Sequence, residues 1–203
     1  MEKVTSISKR VRSMELIKFE IPEDYDCGNI KNFKDKLVDR VNKKGFHFVF
    51  MGAVGCGKTK LARLIQTFIG RIGETMVYSN CWGLYREYLR DLREPNSDPY
   101  SRFDRLMETD NIILDDIGAE QPSTPQSHGF IATLIEIRYT YLTRYKSMTE
   151  KTNTIICTNL SFEGESNSLQ SYYGDRVVDR IVEMCTIVKF GGHSYRVSKK
   201  EVL

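Results

Sequence analysis

The octapeptide Gly52-Ala53-Val54-Gly55-Cys56-Gly57-Lys58-Thr59 restricts the fold of this chain more than any other stretch. It has the spacing GxxxxGK[ST]. Residues 46–51 before it form a short, nearly continuous apolar run that reads as a strand. After it, Leu61, Leu64, Ile65, Phe68 and Ile69 fall on one face of a helix. A strand, a glycine-rich turn and a helix in this order make a phosphate-binding P-loop. The glycines let backbone N–H groups curl around a β-phosphate, and the helix N-terminus adds partial positive charge. Lys58 is expected to reach the β- and γ-phosphates, and the Thr59 hydroxyl to ligate Mg²⁺. The expected nucleotide contacts are residues 52–59 together with Lys60.

A P-loop needs a carboxylate from a nearby strand, and Ile112-Ile113-Leu114-Asp115-Asp116 supplies it. Aliphatic residues followed by an acid at a strand end form the Walker B pattern. In an open parallel sheet that strand end borders the ligand crevice. Asp115 is the expected Mg²⁺ holder with Thr59, acting through the water shell of the ion. Asp116 is expected to polarise the attacking water, and Glu120 is the second candidate for that role.

The rest of the chain alternates in the same way. Strands are predicted at 75–79, 153–158 and 186–190, and helices at 82–93, 127–145 and 172–184. A cluster of turn residues over 95–99 ends the first of these helices. Gly191 and Gly192 suggest a terminal hairpin. Strands apolar on both faces, alternating with helices, predict an α/β domain with a five-stranded parallel sheet flanked by helices. In residues 31–44, Phe33, Leu37 and Val41 lie four apart, and six Lys/Arg against two Asp make the outer face basic. The expected organisation is an arm with this helix over 1–44 and the main domain over 45–203.

Composition excludes several classes. At 203 residues and 40% hydrophobic content, the chain can bury a full core without metals or disulfides. It has no apolar stretch long enough for a membrane span and no apolar leader near the start. Cys27, Cys56, Cys81, Cys157 and Cys185 are scattered and contain no CxxC pair. That pattern predicts reduced thiols in a cytoplasm and no zinc site. The net charge of +3 points only faintly to a polyanionic partner.

With GAVGCGKT and IILDDIGAE in place, the chain resembles the DnaC/DnaI replicative helicase loaders and the related IstB transposition ATPases, a branch of the AAA+ superfamily. The likeness extends over about residues 45–197. Thr158-Asn159 sits where such ATPases carry a polar sensor-1 residue facing the γ-phosphate or its water. Residues 173–181, YGDRVVDRI, look like the arginine-finger box, and Ser194-Tyr195-Arg196 like the C-terminal SYR signature. The resemblance implies an AAA+ core, with Asn159 as sensor 1. It implies that Arg176, or failing that Arg180, reaches a neighbour's γ-phosphate in trans. Arg196 either faces phosphate or makes a strand-end contact.

The departures carry information as well. General AAA+ ATPases have Asp-Glu where this chain has Asp115-Asp116, so slow hydrolysis is expected, stimulated by assembly or DNA. Only 13 residues follow the fifth strand, so the C-terminal lid is expected to be reduced or absent. The P-loop begins at residue 52, which suggests a version without the loaders' separate N-terminal domain, encoded by a phage or mobile element.

The function implied is that of an ATP-dependent replication factor, using ATP/ADP and Mg²⁺. It would bind single-stranded DNA, load or remodel a hexameric replicative helicase, and self-associate with nucleotide. The alternatives are an IstB-like transposition ATPase acting on duplex DNA, and a nucleotide-binding decoy that inhibits the helicase or a host loader. For DNA, Tyr85, Arg86, Arg90 and Arg93 lie in a stretch rich in aromatics and arginines, the mixture used for sequence-tolerant strand binding. However, residues 82–107 hold five arginines against five acids, and Trp82, Tyr85 and Leu89 are also spaced as a core stripe. Arg138, Arg144, Lys146 and Lys151 offer a second basic surface.

Overall fold

The computed structural model describes residues 20–21, 34–43, 45–94, 98–119, 123–144, 152–164 and 166–191. Glu120, Arg196, the expected terminal hairpin and most of the N-terminal arm lie outside them. Helix α1 (Lys34–Lys43) leads into strand β1 (His47–Gly52) and helix α2 (Lys58–Arg71). Strand β2 (Val77–Asn80) runs directly into α3 (Cys81–Asp91), followed by α4 (Pro99–Met107) and β3 (Asn111–Ile117). The long helix α5 (Pro125–Arg144) precedes β4 (Asn153–Thr158), α6 (Leu169–Tyr173), α7 (Asp175–Met184) and β5 (Thr186–Phe190). The five strands are all parallel, in the order β2-β3-β4-β1-β5.

Strand periodicity splits the interior into two cores. Phe46, Phe48 and Phe50 point to one face with Ile113, Ile155 and Cys157, where Leu37 and Val41 of α1 and Leu61 and Ile65 of α2 cover them. Val49, Ile112, Leu114 and Ile156 point to the other face, against α3 to α7. The three phenylalanines stack with ring centroids 5.2 and 5.9 Å apart. Leu37 and Val41 are completely buried, so α1 is built into the domain by the same stripe that predicts the helix. No helix among the described residues is long and apolar enough to cross a membrane.

Two elements differ from the sequence expectation. Helix α4 was not anticipated, although Asp98 before Pro99 is a cap-and-first-turn signature; the Asp98 carboxylate accepts the Ser101 N–H at 3.2 Å. The expected helix over 172–184 is broken by Gly174 at φ 82°, a left-handed conformation that interrupts the helical path between α6 and α7.

The two ends of the sheet have different duties. At the N-terminal end, Asn153 donates to Asn111 Oδ1 at 2.6 Å and accepts the Phe46 N–H at 3.0 Å, tying β4 to β3 and to the start of β1. Arg138 is fully buried beside them. Its guanidinium donates to the carbonyls of Met107 (2.8 Å), Thr109, Asp110 (3.2 Å) and Asn153 (3.4 Å), and to Thr154 Oγ1 (3.0 Å). The reading of Arg138 as part of a basic surface is therefore corrected. Burial pulls its guanidinium down to about 10. It stays in place because its buried donors are met by these carbonyls and the Thr154 hydroxyl.

Replacing Arg138 with alanine should remove this set of buried hydrogen bonds, leave a cavity, and cost about 3 kcal/mol or more of stability. Urea unfolding at neutral pH measures this, and Arg138→Lys should recover little, because an ammonium cannot reach the same fork of acceptors.

Candidate functional site

The C-terminal end of the sheet gathers the chemistry. Strand register sets Thr158 opposite Met51 on one side and Ile117 on the other, so the ends of β1, β3 and β4 meet at one place. Thr158 closes the junction: its hydroxyl donates to the Ile117 carbonyl at 2.8 Å and accepts the Leu160 N–H at 3.1 Å. The chain leaves β1 through Gly52, where a Cβ would lie 2.5 Å from the Phe190 carbonyl oxygen, so only glycine fits there. Gly55 and Gly57 take φ values of 81° and 99°, and Gly57 caps the N-terminus of α2. The turn brings that helix N-terminus, with its exposed N–H groups, over the sheet edge.

Lys58 lies at the centre, 7% exposed. A buried ammonium is costly unless its donors are met. Here they are taken by the carbonyls of Gly52 (2.7 Å) and Ala53 (2.8 Å) and by Asn159 Oδ1 (2.7 Å). Asn159, just past β4, is thus brought to the P-loop lysine.

Asp115 is 1% exposed and held on both carboxylate oxygens. Oδ1 accepts the Thr59 hydroxyl at 3.2 Å and the Asp116 N–H at 3.1 Å, and Oδ2 accepts the Tyr78 hydroxyl at 2.6 Å. Burial, and next the Asp115 hydrogen bond, raise the Tyr78 phenol above its ordinary value. Burial, with Asp115 beside it, also pushes the Cys157 thiol well above its usual range.

Asp116 sits in the irregularity between Leu114 and Ile117, with φ 59°. Aspartate tolerates this left-handed conformation better than most residues. The turn aims its carboxylate at β2, where Asn80 donates to Oδ2 at 3.0 Å. Asn80 also accepts the Gly83 N–H at 3.1 Å and so caps α3. Sequence reasoning missed Tyr78 and Asn80, since their role depends on β2 pairing with β3, which no local pattern encodes.

A P-loop implies Mg²⁺, and the donors here suit it. The Thr59 hydroxyl and the Asp115 carboxylate set two oxygens against each other at the P-loop edge, the hard ligands that this ion prefers. Bound there, the ion would neutralise phosphate charge.

The remaining expected residues fall elsewhere. Arg176 and Arg180 are on α7, and their ion pairs run to Glu136 of α5 and to Glu183 rather than to the P-loop of their own chain. The Arg176 side chain is 76% exposed. Arg180 is more enclosed and lies 4.1 Å over the Tyr139 ring. Arg86 and Arg90 on α3 and Arg93 in the turn after it are exposed, with Arg90 near Asp91 and Glu94. Tyr85 is buried at 4% and packs its ring 5.7 Å from Phe130. It is a core residue, and its expected contact with DNA is corrected on that ground.

A P-loop beneath a Walker B strand, in a sheet of this order, defines a P-loop protein of the AAA+ class. The model of the IstB-like ATP binding protein family matches residues 2–202, and the chain belongs to that family. Among solved structures, the DnaC helicase loader is 23% identical with a TM-score of 0.59, covering 83% of this chain and 95% of that one. DnaI is 19% identical, also at 0.59, covering 89% and 94%. The replication initiator DnaA bound to AMPPCP and single-stranded DNA is 15% identical at 0.59. The match covers 89% of this chain and 55% of that longer one. At these identities the likeness establishes the fold. No curated protein sequence matches the chain.

Lys58→Ala should weaken nucleotide binding about a hundredfold, since a charge-assisted contact to phosphate is lost. Asp116→Asn keeps the side-chain shape and the backbone conformation, so it should retain binding and lower turnover. Titration calorimetry and phosphate release separate the two effects, and tight ATP binding by Lys58→Ala would contradict the site.

Proposed function

We propose that this protein is an ATP-dependent DNA-replication factor that binds single-stranded DNA and loads or remodels a hexameric replicative helicase. The observation that carries the reading is a fully furnished nucleotide site in a chain that matches the DnaC helicase loader over 95% of that protein's chain. Lys58, Thr59, Asp115, Asp116 and Asn159 supply, in that order, phosphate contact, Mg²⁺ ligation, a hold on Mg²⁺ through its water shell, water polarisation and a polar sensor. Asp116 is one methylene shorter than the glutamate of general AAA+ ATPases, which favours slow turnover.

Arg176 supports assembly through nucleotide. Its side chain is 76% exposed on α7 and paired with Glu136 rather than with its own P-loop, so reaching a neighbour's γ-phosphate requires exchanging that surface ion pair. Arg180, stacked on Tyr139 and paired with Glu183, is the second choice for the finger. For DNA, the exposed Arg86 and Arg90 on α3 and Arg93 just after it are the proposed phosphate contacts, with the half-buried Trp82 beside Arg86 as a stacking edge.

The family match itself favours a second reading, an IstB-like ATPase that acts on duplex DNA in transposition. Phosphate release with added DNA separates the two. Stimulation by single strands and not by duplex is expected; stimulation by duplex alone would turn the assignment to transposition. Arg176→Ala should leave ATP binding unchanged and lower assembly-dependent turnover about tenfold or more. If Arg180→Ala is inactive and Arg176→Ala is not, the finger is Arg180.

A further inference from the structure

Tyr78 and Arg63 are not explained by the nucleotide contacts themselves. Thr59 and Arg63 stand one turn apart on α2, so they share a face of the helix. Thr59 donates to Oδ1 of Asp115. The Arg63 guanidinium lies 3.1 Å from the centroid of the Tyr78 ring, whose hydroxyl donates to Oδ2 of the same carboxylate at 2.6 Å. Arg63 is oriented in turn by Gln66, which accepts from it at 2.9 Å and donates to the Met76 carbonyl at 2.8 Å, just before β2. The P-loop helix therefore grips Asp115 twice: directly through Thr59, and around the other side through Arg63 and Tyr78.

We infer that Tyr78 is a positioning residue for divalent-cation binding: its hydroxyl holds Oδ2 of Asp115 and, with the Asp116 N–H on Oδ1, fixes the carboxylate in the rotamer that sets Oδ1 beside the Thr59 hydroxyl, the other expected ligand. A short hydrogen bond to a buried carboxylate fixes its rotamer, and second-shell partners of this kind orient a metal ligand without touching the metal. Arg63 holds the ring by a cation–π contact and so sets the direction of the hydroxyl. This inference rests on the nucleotide-site reading above and adds a residue that does not touch nucleotide.

The test is calorimetric titration of ATP with and without Mg²⁺, using the wild-type chain and Tyr78→Phe. The phenylalanine keeps the ring and its contact with Arg63 and removes only the hydroxyl. Affinity without metal should be unchanged, while the Mg²⁺ concentration that half-saturates the metal-dependent gain should rise about tenfold. An unchanged Mg²⁺ requirement, with a thermal melt close to wild type, overturns the assignment. Equal losses with and without metal also overturn it, because they mean general damage to the site. Should Tyr78→Phe not fold, Arg63→Ala serves instead, with a smaller rightward shift of the Mg²⁺ curve expected and no shift contradicting the clasp. Lys58→Ala is run in parallel: if it still binds metal-free ATP tightly, the nucleotide-site reading fails, independently of what Tyr78 does.

Discussion

Asp115 is a carboxylate almost wholly withdrawn from water, and the arrangement around it follows from that fact. An acid buried this deeply is costly unless its oxygens are met by donors. The donors come from three places distant in sequence: Thr59 on the P-loop helix, Tyr78 on β2 and the backbone of Asp116. They can converge only because β3 lies beside β2 on one side and is one strand removed from β1 on the other. Lys58 is the complementary charge. It reaches across to Asn159 at the end of β4, so the strand between β1 and β3 also takes part. Parallel pairing at the ends of three strands and the chemistry of the site are thus one construction.

The opposite edge of the sheet keeps that construction in register. Arg138 gathers the carbonyls of the α4–β3 connection and the first residues of β4, and Asn111 and Asn153 link β3, β4 and the entry to β1. These polar groups are satisfied within the protein and hold the strands where they enter the sheet. Where the strands leave it, side chains such as Asp116, Asn159 and Lys60 are reachable from solvent. The P-loop turn is likewise open, with Val54 58% exposed.

Local signals made much of this legible in the sequence. The P-loop and Walker B segments are written in contiguous residues, and apolar runs or stripes located all five strands and most helices. Arg138 was misread by its charge, although it lies on the stripe of Leu134 and Leu142, four residues away on either side, and that spacing marks a buried face. Tyr85 was open to both readings, since aromatics suit stacking on bases and packing in a core alike; contact with Phe130 from α5 decides it. Tyr78 and Asn80 were invisible for a different reason. Their partners, Asp115 and Asp116, are 37 and 36 residues away, and strand order is not a local property.

Asn80 joins two of these themes, because it holds Asp116 and caps α3, the helix that carries the exposed arginines. Events on that helix and the acid next to the nucleotide site therefore share one side chain. Whether the protein acts on a helicase is read most directly from the mass of a complex. Multi-angle light scattering of this protein with a hexameric replicative helicase, with ATP and without, should give a stable co-complex whose mass depends on nucleotide. Two separate species under both conditions would contradict a helicase partner and leave a DNA-directed ATPase in its place.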